Sequence, residues 1–340
     1  MNKKKILNDP VYGFITIPSE LIFDLIEHPF FQRLRRIKQL GMAELVYPGA
    51  LHTRFHHALG AMHLMGQAIQ NLRSKGHDIS DEELEAARIA ILLHDIGHGP
   101  FSHVLENTIL DQVPHEKISL LLMQELNKQM GGELTLAIKM FANQYERSFF
   151  HQLISSQLDI DRLDYLTRDS FFTGVNEGVI AYDRILKMLT VHNGELMVEE
   201  KGIYSIEKFL VARRLMYWQV YLHKTVLSAE QMLQRIIKRA KQINAGCQEP
   251  LNHFITGNAG DISLSQFCNI DDYDVMVAIK GWCNHADPVL SLLSRGIIDR
   301  RLLKVKYYPE PVAENIVQQK LQQACLTLNI SEEDAGWLVF

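Results

Sequence analysis

Histidine is the residue type to follow first. The chain of 340 residues has 15, and nine of them fall between His52 and His115. Three segments could do chemistry: Arg54-Phe55-His56-His57, the run from His94-Asp95 through His98 to His103, and the acidic stretch from Leu158 to Tyr165. His94-Asp95 follows the apolar run Ala90-Ile91-Leu92-Leu93. Polar groups at the end of a buried helix are costly unless something satisfies them, and a divalent cation does so. Imidazole with carboxylate suits Fe, Mn, Co, Ni or Zn better than Ca or Mg. Adjacent helical side chains diverge by about 100°, so further ligands must come from elsewhere. His57 and Asp161 are the natural candidates, which makes His57, His94, Asp95 and Asp161 the expected ligands of one transition-metal ion per subunit. An isolated His-Asp pair is ordinarily a cap beside a core histidine. The second histidine cluster and the aspartates argue against that here.

Proton-transfer groups lie close by. Pro100 suits the first turn of a helix, on which His103 and Glu106, three apart, share a face. A carboxylate in that position orients an imidazole and raises its basicity. His98 and His115 would complete a histidine-lined wall. Asp161, Tyr165 and Asp169 are spaced by four, flanked by Arg162 and Arg168, with Ile160, Leu163 and Leu166 on the opposite, core-facing side. Such a face offers a metal ligand, a cation for phosphate and an acceptor for a sugar hydroxyl.

The elements that must position these groups read as mainly helical. Residues 9–18 predict a turn and short strand, with Ser19 capping a helix through Ile26. Helical spacing recurs over 30–40 and 55–72. Ser80 to Glu83 is a capping box, opening a helix that should stop at Gly97 or Gly99. Further helices are expected over 115–145, 150–170 and, uninterrupted, 206–243. Alternation over 195–206 around Lys201-Gly202 predicts a β-hairpin. Residues 245–265 read as a linker, and a strand is expected near Val305–Tyr308. The expected organisation is a core over 1–244 and a smaller α(+β) lobe over 245–340.

Composition sets outer limits. A net charge of −5 argues against a nucleic-acid coat. Cys247, Cys268, Cys283 and Cys325 form no C-x-x-C pair and suit a reducing compartment. Lys3, Lys4 and Lys5 precede no apolar signal region, and no apolar run approaches the roughly 20 residues of a membrane span. A cytoplasmic protein with no membrane partner is expected.

The order His, His-Asp, Asp resembles the HD superfamily of metal-dependent phosphohydrolases. The runs Asn8 to Gly13, Phe31 to Gly41, Tyr47 to His57 and His94 to His103 resemble its deoxynucleoside triphosphate triphosphohydrolase branch, which includes the human SAM- and HD-domain enzyme. Leu158 to Ser170 has the form typical of bacterial members. The resemblance implies an HD-domain helical core and release of a deoxynucleoside and intact inorganic triphosphate. It implies His57, His94, Asp95 and Asp161 as metal ligands, with additional Mg compatible with the triphosphate. His103, supported by Glu106 and His115, would do the proton or nucleophile work at the α-phosphorus. Arg54, Arg162 and Arg213 would hold phosphate oxygens, and Gln39, Asp169 and Tyr221 would frame the deoxyribose. Lys5, Asn8, Gln32, Arg35, Arg300 and Lys304 fall on positions of a regulatory nucleotide site, with Glu27 where an aspartate would read a base. A homo-oligomer, a tetramer above all, is the implied assembly. Alternatives are an HD phosphohydrolase acting on a nucleoside monophosphate or cyclic dinucleotide, and a nucleotide-sensing module with vestigial chemistry.

Overall fold

Reciprocal capping starts the helix that delivers His94. Ser80 Oγ accepts from Glu83 N at 3.1 Å while Glu83 Oε2 accepts from Ser80 N at 2.8 Å. The helix Asp81–Leu93 then packs along the longer helix Arg54–Ser74, which is buried on most sides. In the computed structural model, which describes residues 5–109, 113–257, 263–308 and 310–340, helices dominate and only two small two-stranded antiparallel sheets occur among the described residues. One apolar cluster runs from Ile15 to Ile297 and includes Phe31, Leu64, Leu92, Leu163, Phe209, Ile236 and Leu293. No described helix is long and apolar enough to cross a membrane.

Ser19 caps the first long helix as expected, accepting from Ile22 N at 3.2 Å. The N-terminal strand belongs to a hairpin, Ile6–Asp9 with Gly13–Thr16. Several expected elements end differently, each for a tertiary reason. The pattern over 30–40 forms a short helix, Pro29–Gln32, and a 3-10 turn, Arg33–Arg36, rather than one helix. Distant partners pull this segment out of helical geometry: buried Arg33 donates to Ile96 O at 2.9 Å, Arg36 pairs with Asp271, and Lys38 N donates to Asp272 Oδ2 at 2.9 Å. The helix Asp81–Leu93 ends before Gly97, with His94 as its C-cap. No helix starts at Pro100. Phe101 and Ser102 adopt φ of 52° and 53°, and Phe101 N donates to Asp272 Oδ1 at 2.7 Å. His103 thus lies on the 3-10 turn Ser102–Val104, and Glu106 opens a separate short helix, Glu106–Ile109.

The second hairpin is Leu189–His192 with Glu195–Val198, turning at Asn193-Gly194. Both turn residues have positive φ, 52° and 84°, as a two-residue hairpin turn of this kind demands. Lys201 and Gly202, expected at the tip, instead head the helix Ile203–Met216. The continuous helix expected over 206–243 is broken by a π-helical turn at Tyr217–Tyr221 before Lys224–Gln242. Within the expected linker, Leu251, Phe254 and Ile255 are buried around a short helix, Asn252–Thr256. Helix Pro288–Ile298 packs on both Lys224–Gln242 and Asp272–Trp282. Val305–Tyr308 forms no strand with any described residue.

Candidate active site

The ends of three helices converge on one point. His57 comes from the first turns of Arg54–Ser74, His94 and Asp95 from the end of Asp81–Leu93, and Asp161 from the first turn of Ile160–Thr173. His57 Nε2 lies 3.1 Å from Asp161 Oδ1 and 3.4 Å from His94 Nε2. His94 Nε2 lies 3.5 Å from Asp161 Oδ1 and 3.3 Å from Asp95 Oδ1. Asp95 Oδ2 is 3.8 Å from His57 Nε2. Ligand atoms about 2.1 Å from a shared ion stand roughly 3.0 to 3.4 Å apart, so this donor set fits a single transition metal. The other ring nitrogens are occupied. His94 Nδ1 donates to Ile91 O at 2.6 Å, and His57 Nδ1 pairs with Asp164 Oδ2 at 2.7 Å. Both Nε2 atoms therefore face the centre, where loss of a proton would leave each a lone pair for a metal.

Electrostatics agree with that geometry. Burial opposes charge on His57, but hydrogen bonds to Asp161 and Asp164 outweigh it and hold the imidazole up at about 10. His94 is raised too, as Asp95 and Asp161 overcome its burial. Burial works against ionisation of Asp161 and Asp95, yet the histidines, and Arg54 beside Asp95, hold both carboxyls below the ordinary range. Protons here balance clustered negative charge, and a divalent cation would displace them and do the same.

Sequence reasoning missed what holds His57. Asp164 also takes two bonds of 3.0 Å from Arg168, which is fully buried and reaches Asp9 Oδ2 at 2.8 Å. A chain of charge-assisted bonds thus runs from the N-terminal hairpin to a proposed ligand. Gly60 makes room for it, since a Cβ there would collide with Asp164 Oδ1 and Arg168 Nη2. Asp164 lies within the acidic stretch from Leu158 to Tyr165, but the sequence reading gave it no role, and its i, i+4 spacing to Arg168 was the signal that could have found it.

A cavity of about 480 Å³ opens beside the cluster. Glu106 joins two histidines there: Oε2 is 3.1 Å from His103 Nδ1, and Oε1 is 2.8 Å from His115 Nδ1. The His103–Glu106 pair forms across a turn rather than on one helix face. His98 stacks on His115 at 3.8 Å, and its Nε2 is 3.4 Å from Asp95 Oδ1. Desolvation by the cavity wall lowers the His103 imidazole despite its 66% exposed side chain, Arg54 lowers it further, and Glu106 opposes. Arg54 is fixed by Asp95 and by Ser102 Oγ at 2.6 Å, and Arg162 by Asp159. On another wall, Tyr221 donates to Asp169 Oδ2 at 2.7 Å, and His52, which sequence reading overlooked, meets Asp169 Oδ1 at 2.8 Å. Gln39, Arg54, Arg162, Tyr165, Asp169 and Tyr221 all line this cavity. Arg213 does not; it lies 5.9 Å over the Tyr217 ring, one turn away.

Residues 54–169 match the HD domain and residues 180–333 the HD-associated region. YwfO of Bacillus subtilis is 34% identical over 321 residues, spanning 91% of this chain and 73% of that protein. The crystal structure of a phosphohydrolase from Bacteroides thetaiotaomicron superposes with a TM-score of 0.96 at 52% identity, covering 98% of this chain and 86% of that one. The chain belongs to the HD superfamily of phosphohydrolases. Within that superfamily it lies near the dNTP triphosphohydrolase branch. The deoxynucleoside triphosphate triphosphohydrolase SAMHD1 homolog of Dictyostelium discoideum is 31% identical over 258 residues, covering 70% of this HD chain, which spans 50% of that relative's length. HD domains bind divalent metals, consistent with the cluster of His57, His94 and Asp161.

The residues read as a regulatory site fall into two sets with no hydrogen bond or ion pair between them among the described residues. Lys5 lies 4.0 Å over the Phe23 ring, Asn8 pairs with Phe14 in the hairpin, and Glu27 ends the helix Glu20–Glu27. Gln32 donates to Ile26 O at 2.8 Å and accepts from Arg35 at 2.8 Å. Arg300 and Lys304 line a separate cavity of about 390 Å³ with Lys224 and Lys306.

Proposed function

We propose that this HD phosphohydrolase cleaves deoxynucleoside triphosphates into deoxynucleoside and inorganic triphosphate. The observation that carries the reading is the Tyr221–Asp169–His52 chain across the cavity from the histidine–aspartate cluster. It locks an aromatic ring where a sugar would lie once the α-phosphate meets the cluster. A 2′-hydroxyl would have to displace that ring or leave its own donor unpaired.

A bound ion supplies Lewis-acid polarisation of the phosphate oxygens. The chain's own residues do the rest. Arg54 and Arg162, already held by Asp95 and Asp159, present guanidinium groups to a substrate carrying about four negative charges. Water attacks the α-phosphorus, the bond from that phosphorus to the 5′-oxygen breaks, and the departing alkoxide takes a proton. His103, oriented by Glu106, delivers it. An anionic triphosphate beside His103 would favour its protonated form, opposing the burial and the Arg54 charge that lower it. We further propose a nucleotide effector held by the basic residues around the second cavity, and assembly as a homo-oligomer, a tetramer above all, as light scattering would show.

A second reading has its own support. His98, His103 and His115 offer nitrogens within 4.8 Å of one another, and Asp95 touches both His94 and His98. His98, His103 and His115 would hold a second ion, and two Lewis acids in one cavity would suit a nucleoside monophosphate or cyclic dinucleotide. Chromatography of the products separates the readings. Intact triphosphate with one ion per subunit supports the first, and orthophosphate or a linear dinucleotide with two ions supports the second.

A further inference from the structure

Glu230 faces the same cavity and plays no part in the chemistry above. It stands on Lys224–Gln242, one turn beyond Val226, which shares that wall. Its carboxyl makes no hydrogen bond or ion pair with any described residue, and burial alone pushes it up to about 7. Its immediate neighbour is Gly41, in a left-handed conformation at φ 52°. A side chain there would begin 3.4 Å from Glu230 Oε1 and 3.3 Å from Val104 Cγ2, so glycine keeps this corner open. Two residues back, Gln39 Oε1 is a buried acceptor without a partner among the described residues. This wall therefore presents acceptors in want of donors, in the same cavity that the sugar-framing pair Tyr221 and Asp169 lines.

We propose that Glu230 is a specificity-determining residue that reads the nucleobase and favours guanine. This rests on the nucleotide reading of the cavity above. On its base-pairing edge guanine offers two adjacent N–H donors, from its ring and its exocyclic amine, whereas adenine and cytosine offer one amine beside a ring acceptor. Thymine offers one N–H between two carbonyls. Two carboxylate oxygens match only the guanine pair bidentately, and buried bidentate pairs of this kind discriminate strongly. The free carboxyl lacks any countercharge, and the guanine donors supply the stabilisation it needs to ionise.

Calorimetry on the metal-loaded full chain tests this with the four α-thio deoxynucleoside triphosphates as slowly cleaved probes. The guanine probe should bind at least about tenfold more tightly than the other three. Glu230→Gln, which keeps the shape but faces guanine with a donor, should bring the four within about twofold, as should Glu230→Leu. Wild-type protein without guanine preference, or a preference that survives in both variants, would overturn the proposal. The isosteric Gln variant covers the case in which the Leu variant fails to fold. Parallel assay of triphosphate release from dGTP separates the two ideas. Guanine preference lost in the variants, with no triphosphate released by wild type, would sink the proposed reaction and keep the role of Glu230. Failure of wild type to bind any of the probes would sink both.

Discussion

Replacing Asp164 by asparagine should weaken metal binding without touching a proposed ligand. Asp164 Oδ2 sits 2.7 Å from His57 Nδ1, and the carboxylate also takes two 3.0 Å bonds from Arg168. Asparagine keeps the volume but removes one of the two carboxylate charges, Asp161 being the other, that make His57 basic, and turns one N–H toward a donor. Loss of such a carboxylate behind a ligating histidine costs about 10- to 100-fold in metal affinity, or roughly 1.4 to 2.8 kcal/mol. Asp164→Ala should also unfold more easily. It leaves fully buried Arg168 with only Asp9, and breaking a buried pair from one side costs about 3 to 5 kcal/mol. Acid adds an independent check. The His57 and Arg168 charges hold the Asp164 carboxyl down at about 2 against its burial. Its folded value lies below the unfolded value of about 3.9, so its contribution is complete above that pH and is lost as pH falls toward 2. It amounts to about 2 to 3 kcal/mol. Competition with a chelator gives the affinity, and thermal unfolding of metal-free protein gives the stability. A folded Asp164→Asn protein that binds metal as tightly as wild type would refute the reasoning.

Three further outcomes follow from the same geometry. Because His57 is held at about 10 without metal, binding at pH 7.5 should release about one proton or more per ion, and affinity should rise with pH toward that value; calorimetric enthalpies that do not vary with buffer ionisation enthalpy would contradict this. His103→Ala should lower kcat by about 10²- to 10⁴-fold, and most of the loss should vanish on p-nitrophenyl triphosphate, whose leaving group needs no proton. Persistence of the full loss would remove His103 from the acid role. Tyr221→Ala should bring the kcat/KM values for ATP and dATP closer together, and equal rates in wild type would exclude its sugar-sensing role.

Much of the site was legible because its residues are clustered in sequence and its neighbours are apolar. The capping box at Ser80 announced where a buried helix begins, and His94-Asp95 after four apolar residues announced polar groups near its end, although the helix stops at Leu93 rather than at Gly97 or Gly99. Asp161, Tyr165 and Asp169 follow from helical spacing alone. What stayed hidden depends on contacts between distant segments. Asp272 holds Phe101 N and Lys38 N from more than 170 residues away, which is why no helix begins at Pro100. The π-helical turn at Tyr217–Tyr221 leaves no trace in apolar periodicity, yet it carries the tyrosine that meets Asp169. The Asn193-Gly194 turn was readable, since that dipeptide suits two positive φ values; the alternation after it drew the hairpin too far along the chain. Glu230 was indistinguishable from a solvated helix position until Gly41 was seen against it.

The proposed reaction turns on metal-assisted attack of water at the α-phosphorus. Hydrolysis of a deoxynucleoside triphosphate in ¹⁸O-labelled water, with products separated and weighed by mass spectrometry, tests it most directly. Intact triphosphate carrying one labelled oxygen, with an unlabelled deoxynucleoside, is the predicted result. Label in the deoxynucleoside, or pyrophosphate or orthophosphate in place of triphosphate, would contradict it.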